Sequence, residues 1–354
     1  MSPRAASAKK IAVILIAAAL LFPGYRQVSA AVKLAPPEQG VYHAAHPDFG
    51  MTSDLVSAES VRRFESLAGR RLVWSYFSWH WKDGIIFPSG QCRALNGAGV
   101  VPLIGIMPWS TLRQGEPEPV YTLDRISRGD FDRELAACAE EVRGLGFPVM
   151  MEFGPEVNGS WFPWNGAWNG RDAGGETGLP GGPERFRDAF RRVVEIFRRN
   201  GAEDVTWVFH IAAAAAPPEP WNSAANYYPG DDCVDWIGVS VYGMPDKNGA
   251  IRPFDEIIKH VYPGMCAISD AKPLAVLELG APECHAKAGW ITDALGSINS
   301  GRYPRIKAVA WWNRIQKSDG SPSRLEIDSS PGSLSAYRAG VGSFVEEAVW
   351  VDIK

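Results

Sequence analysis

Two kinds of apolar pattern alternate along residues 31–354. Short runs that are apolar on both faces fall at 41–45, 72–79, 100–109, 148–153, 205–211, 236–242, 274–279 and 306–312. Runs of this kind predict strands of a parallel sheet covered on both faces by helices. Between them, helical spacing recurs over 58–67, 90–96, 130–145, 183–200, 254–268 and 286–298, and a last helix is expected near 332–345. Gly69, Gly146 and Gly201 follow three of these stretches, where a left-handed cap favours glycine. The segment 211–234 shows no clear helix. Eight strands with interleaved helices predict an α/β fold, a single (β/α)8 TIM barrel. A doubly wound sheet is the rival; it needs no eighth strand and often opens on a Gly-rich turn, which this chain lacks. The Pro/Gly-rich stretch 166–183 reads as a surface loop inside the one domain.

The first thirty residues break this pattern. Arg4, Lys9 and Lys10 precede an apolar run over 11–22, which is too short to span a bilayer comfortably. Pro23 and Gly24 end the run, and Val28, Ser29 and Ala30 offer small residues for a peptidase. Residues 1–30 thus read as a cleaved secretory signal peptide, with an uncleaved anchor as the alternative. The folded domain is then 31–354, and the protein is expected to be secreted or periplasmic. No later segment has the length and apolarity of a transmembrane helix. Removing residues 1–30 takes four basic and no acidic side chains, moving the formal net charge from −4 to −8. An acidic surface repels phosphate backbones and argues against nucleic acid as partner.

Five cysteines (Cys92, Cys138, Cys233, Cys266 and Cys284) include no CxxC pair, against zinc or thiol-redox chemistry. Cys92 with Cys138, and Cys233 with Cys266, are candidate disulfides by topology; burial as free thiols is the equal alternative.

Candidate chemistry sits at two strand ends. Barrel active sites lie at the C-terminal ends of the strands. Glu156 follows the fourth run in EFGPEVNGSWFPW, and Glu278 ends the seventh in KPLAVLELGAP. A carboxylate at a barrel rim is costly to bury without a partner or a function. Paired carboxylates are what glycosidic cleavage requires, and in retaining enzymes they lie ~5–5.5 Å apart. Fourteen tryptophans exceed what a core ordinarily uses. Trp79, Trp81, Trp109, Trp161, Trp164 and Trp168 are therefore expected along an open cleft, where aromatic faces stack on the C–H faces of sugars.

At these motifs the chain resembles glycoside hydrolase family 26, the retaining, β-mannanase-like barrels. EFGPEVNGSWFPW is similar to the family's acid/base segment, Arg-x-x-His-Glu-x-Asn/Thr-Gly-x-Trp. KPLAVLELGAP is similar to its nucleophile strand, NYYPGDDCVDWIGVSVYG to its sixth strand and IKAVAWWN to its eighth, in the same order. The resemblance implies double displacement on a β-linked polysaccharide, with Glu156 as acid/base and Glu278 as nucleophile and no metal or organic cofactor. It further implies that Tyr242 bonds the nucleophile, that Trp161 stands beside the acid/base and that Trp311 floors the reacting subsite. Trp79, Trp109 and Trp164 are added as binding residues from the aromatic pattern. Pro155 and Glu152 stand where the family has His and Arg. If the strand stays regular, Glu152, Gly154 and Glu156 share one side, and three acids near one pocket repel one another unless a cation or a shared proton intervenes; His43, His46, His210 and Arg71 are the candidate cations. A catalytically inactive glycan-binding barrel of the cell envelope is the second functional expectation.

Overall fold

The computed structural model describes residues 32–50, 55–170, 181–315 and 324–352; the expected signal segment 1–30 lies outside them. Eight parallel strands close into one barrel in chain order: β2 (Tyr42–His46), β3 (Trp74–His80), β4 (Val101–Met107), β5 (Val149–Phe153), β6 (Val205–Ala212), β7 (Trp236–Tyr242), β8 (Leu274–Gly280) and β9 (Ile306–Trp312). Closure pairs β9 with β2, from Tyr42 against Ala308 to His46 against Trp312. The doubly wound alternative is thereby excluded.

Helices α1 (Ala58–Ala68), α2 (Ser89–Gly97), α3 (Leu123–Arg128), α4 (Asp132–Arg143), α5 (Gly182–Arg199), α6 (Ala224–Tyr227), α7 (Phe254–Ile268), α8 (Lys287–Asn299) and α9 (Pro331–Val341) follow the strands. Local chemistry sets their ends. Ser57 caps α1 by accepting from the Ser60 amide, and Gly69 closes it with φ 70°. Helix α5 carries the strongest amphipathic stripe: Phe186, Phe190, Val193, Val194 and Phe197 are all buried against the sheet.

Two apolar layers result. Every second strand residue points into the barrel, where Trp74, Leu103, Met150, Val208, Trp236, Ala275, Ala308 and Ala310 pack. The alternate residues point outward, where the helices cover them. Alternating parity is thus the rule that decides which side chains can reach the mouth of the barrel.

Two short strands escaped the sequence pattern. β1 (Val32–Ala35) pairs antiparallel with β10 (Val349–Asp352) at the opposite end of the chain. This ribbon lies at the base of the barrel. Trp236 donates its indole N–H to the Leu34 carbonyl at 2.9 Å, and the Leu34 amide donates to Thr206 Oγ1 at 2.9 Å. All five cysteines are free, which settles the choice between disulfides and thiols. Among the described residues no helix is long and apolar enough to cross a membrane.

Candidate active site

Glu278 reaches the mouth of the barrel because β8 is irregular. Leu277 faces the barrel interior, as Ala275 does, and Leu279 joins the outer layer. Strict alternation would send Glu278 outward with Val276. Register shifts at Val239/Ser240 and between Val276 and Leu279 break that alternation, and Glu278 lines the cleft instead. Bulges re-aim side chains in this way. Tyr242, at the end of β7, donates its hydroxyl to Glu278 Oε2 at 2.6 Å.

Glu156 is held differently. The chain leaves β5 through Gly154, with φ 60°, and Glu156 itself has φ 51°. A Cβ at Gly154 would come within 2.8 Å of Phe186 and 3.0 Å of Trp164, so the turn needs glycine on both grounds. A left-handed glutamate costs about 1–3 kcal/mol and persists only where its surroundings impose it. Those surroundings are buried amides. Asn158 accepts from the Ala212 amide at 2.7 Å and donates to its carbonyl at 3.0 Å, so its side chain continues the edge of β6. Asn222 donates to the Asn158 carbonyl, Asn165 donates to the Val157 carbonyl, and Tyr227 joins both asparagines. Trp161 then donates its indole N–H to Glu156 Oε2 at 2.7 Å.

Beneath both carboxyls lies a third acid. Glu152 is fully buried in the barrel. It accepts from Tyr76 Oη at 2.7 Å and pairs with His210 Nδ1 at 2.9 Å, while His210 Nε2 meets Ser240 Oγ at 2.8 Å. Gly105 makes this possible, since a Cβ there would fall 2.1 Å from the Tyr76 hydroxyl. Of the cations considered from sequence, His210 is the one that joins the acid. His43 bonds Tyr337 on the helix side, and Arg71 offers its backbone carbonyl to His43. His46 is neutral: burial, aided by the charge of Arg314, pulls it down to about 3.

Electrostatics tie the three carboxyls together. Burial draws His210 down, but the charge and hydrogen bond of Glu152, joined by Glu278 and Glu156, carry it up to about 9. Glu278 is pushed up to about 8, first by burial and then by Glu156, against the opposing pull of His210 and the Tyr242 hydrogen bond. Tyr76 and Tyr242 are raised well above the ordinary phenol range, chiefly by burial and then by Glu152 and Glu278 respectively, so both remain donors.

The cleft above these groups has a volume of about 530 Å³. Its walls include His46, Ser78, His80, Met107, Trp109, Trp161, Phe162, Trp312 and Arg314 beside Glu156, Tyr242 and Glu278. It adjoins a wider lobe past Trp312, bounded by Ala212, Met244, Pro282 and Arg324.

Five aromatic expectations need correction: Trp311, Trp79, Trp164, Trp81 and Trp168 are not among the residues that line this cleft. Trp311 is fully buried on the outer face of β9, edge-on to Tyr337, with its indole donating to the Leu325 carbonyl. Parity gives the cleft to Trp312, which stacks on the neutral His46 ring at 4.0 Å. Trp79 likewise points outward from β3, edge-on to Trp81 and Phe87, and borders a side pocket. Trp164 is buried beneath the site, donating to the Pro155 carbonyl and stacking at 4.5 Å on Phe162, which is the member of the pair that faces the cleft. Trp81 is fully buried too, and Trp168 donates to the Ser160 carbonyl. Trp109 and Trp161 do line the cleft. The small interior alanines Ala308 and Ala310 were the sequence signal that could have separated Trp312 from Trp311.

Comparison with known proteins agrees with this architecture. Residues 124–275 match the model of glycosyl hydrolase family 26. The chain is similar to endoglucanase H of Acetivibrio thermocellus, at 28% identity over 81% of this chain and 29% of the relative. It is also similar to a β-1,3-xylanase of Alcaligenes sp., at 27% identity over 60% of this chain and 39% of the relative. The chain thus spans less than half the length of these relatives. A double mutant of a Cellulomonas fimi endo-β-1,4-mannanase superposes with TM-score 0.60 at 17% identity, covering 86% of this chain and 71% of that one, a likeness of fold. The matched stretch includes Glu152, Glu156, His210 and Tyr242, and over it the chain is similar to glycosyl hydrolase family 26.

Proposed function

We propose that this protein is an exported retaining glycoside hydrolase that cuts internal β-glycosidic bonds of a polysaccharide. The observation that carries the reading is the pair of carboxyls, Glu156 and Glu278, mounted on different strand ends yet opening onto one aromatic-walled cleft. Glu278 is the nucleophile. Tyr242 holds its Oε2, which leaves Oε1 to attack the anomeric carbon. Glu156 gives its proton to the departing oxygen, with Trp161 fixing the carboxyl plane. Once the nucleophile is glycosylated its charge is gone, and with it the repulsion that favours a proton on the pair. Glu156 then takes a proton from water, which attacks the glycosyl-enzyme and restores the configuration.

Internal cutting is supported by a cleft that continues on both sides of the carboxyls, towards Trp109 and Phe162 and towards Trp312 and Arg314. The substrate class is a β-linked glycan: a mannan, a glucan or an exopolysaccharide of bacterial origin. Export rests on residues 1–30 acting as a signal peptide. A polysaccharide partner without turnover is the competing reading, motivated by Pro155 and Glu152 in place of the family's His and Arg.

One experiment decides between them. Residues 31–354 are assayed on β-mannan, mixed-linkage β-glucan, β-1,3-xylan and bacterial exopolysaccharides, following reducing ends and viscosity together. The hydrolase reading expects viscosity to fall ahead of reducing-end release on one of them, with activity abolished in Glu156→Ala and Glu278→Ala. Tight glycan binding with no new reducing ends would establish the binding protein instead.

A further inference from the structure

Glu152 and His210 form a buried charged unit that the double displacement does not itself use. Both side chains are completely enclosed in the barrel. The groups facing His210 come from every neighbouring element: Glu152 on β5, Ser240 on β7, Glu278 on β8 and Glu156 on the loop after β5. Tyr76 on β3 closes the far side of Glu152. A lone buried carboxylate at position 152 would only add to the repulsion among the acids above it. A buried acid–base pair is weak evidence for stability, since desolvation of both partners offsets most of their attraction. Its place beneath a pair of carboxyls therefore points to another role.

We infer that His210 is the cation of this site: a positioning residue, charged and anchored by Glu152, that eases the ionisation of Glu278 for attack and steadies β7 through Ser240. The inference rests on the hydrolase reading above and deepens it. Ser240 stands in register with Glu278 and two residues before Tyr242, so the His210–Ser240 bond sets the strand that holds the nucleophile's own donor. His210 acts on Glu278 through space from within the barrel, where a charge is less screened than at the surface. A neutral His210 could bond Glu152 or Ser240 as donor, but not both; as imidazolium it donates to each.

The coupling is reciprocal: if His210 favours the charge on Glu278, Glu278 must favour the charge on His210. The test uses both directions. In the folded chain labelled with 15N-histidine, the His210 ring is identified by its loss in His210→Gln and titrated by NMR. Two protonated ring nitrogens at pH 7 are expected, with a midpoint that falls in Glu278→Gln. In kinetics, His210→Gln should move the acid limb of the kcat/KM profile upward by about one pH unit, with KM little changed. The double variant Glu152→Gln/His210→Gln removes the pair without stranding either charge and serves if the single variant does not fold. Its acid limb should also stand above that of the parent chain. A neutral His210 at pH 7, a midpoint indifferent to Glu278→Gln, or a double variant with the parent pH profile would each overturn the inference. Absence of turnover on any glycan, with His210 titrating as described, would instead remove the hydrolase reading and leave the charge coupling in place.

Discussion

The two carboxyls at the barrel mouth are mounted in opposite ways. Glu278 sits within a strand, turned into the cleft by a register shift and gripped by one hydroxyl from the neighbouring strand. Glu156 sits just past a strand, on a left-handed backbone held in place by Asn158, Asn165, Asn222 and Tyr227. A nucleophile must keep one direction of attack, and a strand supplies that stiffness. An acid/base must serve a leaving oxygen and then a water on the same side, and a loop can place a carboxyl over the cleft where no strand residue points. The price is strain at Glu156, offset by a buried amide network that has no counterpart around Glu278 among the described residues.

The widest separation between the two mounts should come from leaving-group chemistry. On polysaccharide, Glu156→Ala and Glu278→Ala both lose activity, the acid–base share alone being about 10²–10⁴-fold. An aryl glycoside whose leaving group departs without protonation breaks the symmetry. Glu156→Ala should then show a burst of aryl release as the glycosyl-enzyme accumulates, because only its second step still lacks a base. Glu278→Ala should show neither burst nor turnover. A burst in Glu278→Ala, absent in Glu156→Ala, would exchange the two roles.

Breaking the mounts themselves should give a smaller and differently distributed effect. Asn158→Ala strands the buried N–H and C=O of Ala212 and costs about 2–5 kcal/mol of stability, with activity falling as Glu156 loses its fixed position. Tyr242→Phe removes one bond at the cleft edge and costs about 1 kcal/mol, but it should strike kcat because that bond orients the proposed nucleophile. Denaturant unfolding and steady-state kinetics on both variants measure the contrast. Equal stability losses would mean that Glu156 does not depend on the amide network.

The same contrast explains what was legible in the sequence. The eight strands could be read because a parallel barrel buries both faces, and each appears as an unbroken apolar run. Both glutamates could be found because each closes such a run. What could not be read was orientation. Trp311 and Trp312 are adjacent and chemically identical, and only parity against Ala308 and Ala310 sends the second one into the cleft. Phe162 and Trp164 exchange places because the indole N–H of Trp164 finds the Pro155 carbonyl beneath the loop. Trp79 points outward for the same reason of parity that brings Ser78 and His80 to the cleft. Glu152 looked like an excess charge because its partner lies 58 residues further on, on β6. The β1–β10 ribbon pairs four-residue strands from opposite chain ends, too short for any periodic signal.

The smallest expected effect bears on what the Glu278 carboxyl costs the fold. The Glu278 carboxyl rises from an ordinary 4.5 to about 8 in the folded protein. Below about pH 4.5 it is neutral in both folded and unfolded chains and contributes nothing to the pH dependence. As pH rises towards 8 the unfolded chain ionises while the folded one keeps its proton, so folding loses stability progressively; above 8 the loss is complete. Glutamine holds the same shape, still accepts from Tyr242 and never ionises. Glu278→Gln should therefore melt at nearly the same temperature as the parent chain at pH 4 and a few degrees higher at pH 8.5. Thermal unfolding across that range gives the difference directly. A gap that stays constant with pH would mean that the substitution acts through packing alone and that the site carries no ionisation cost at Glu278.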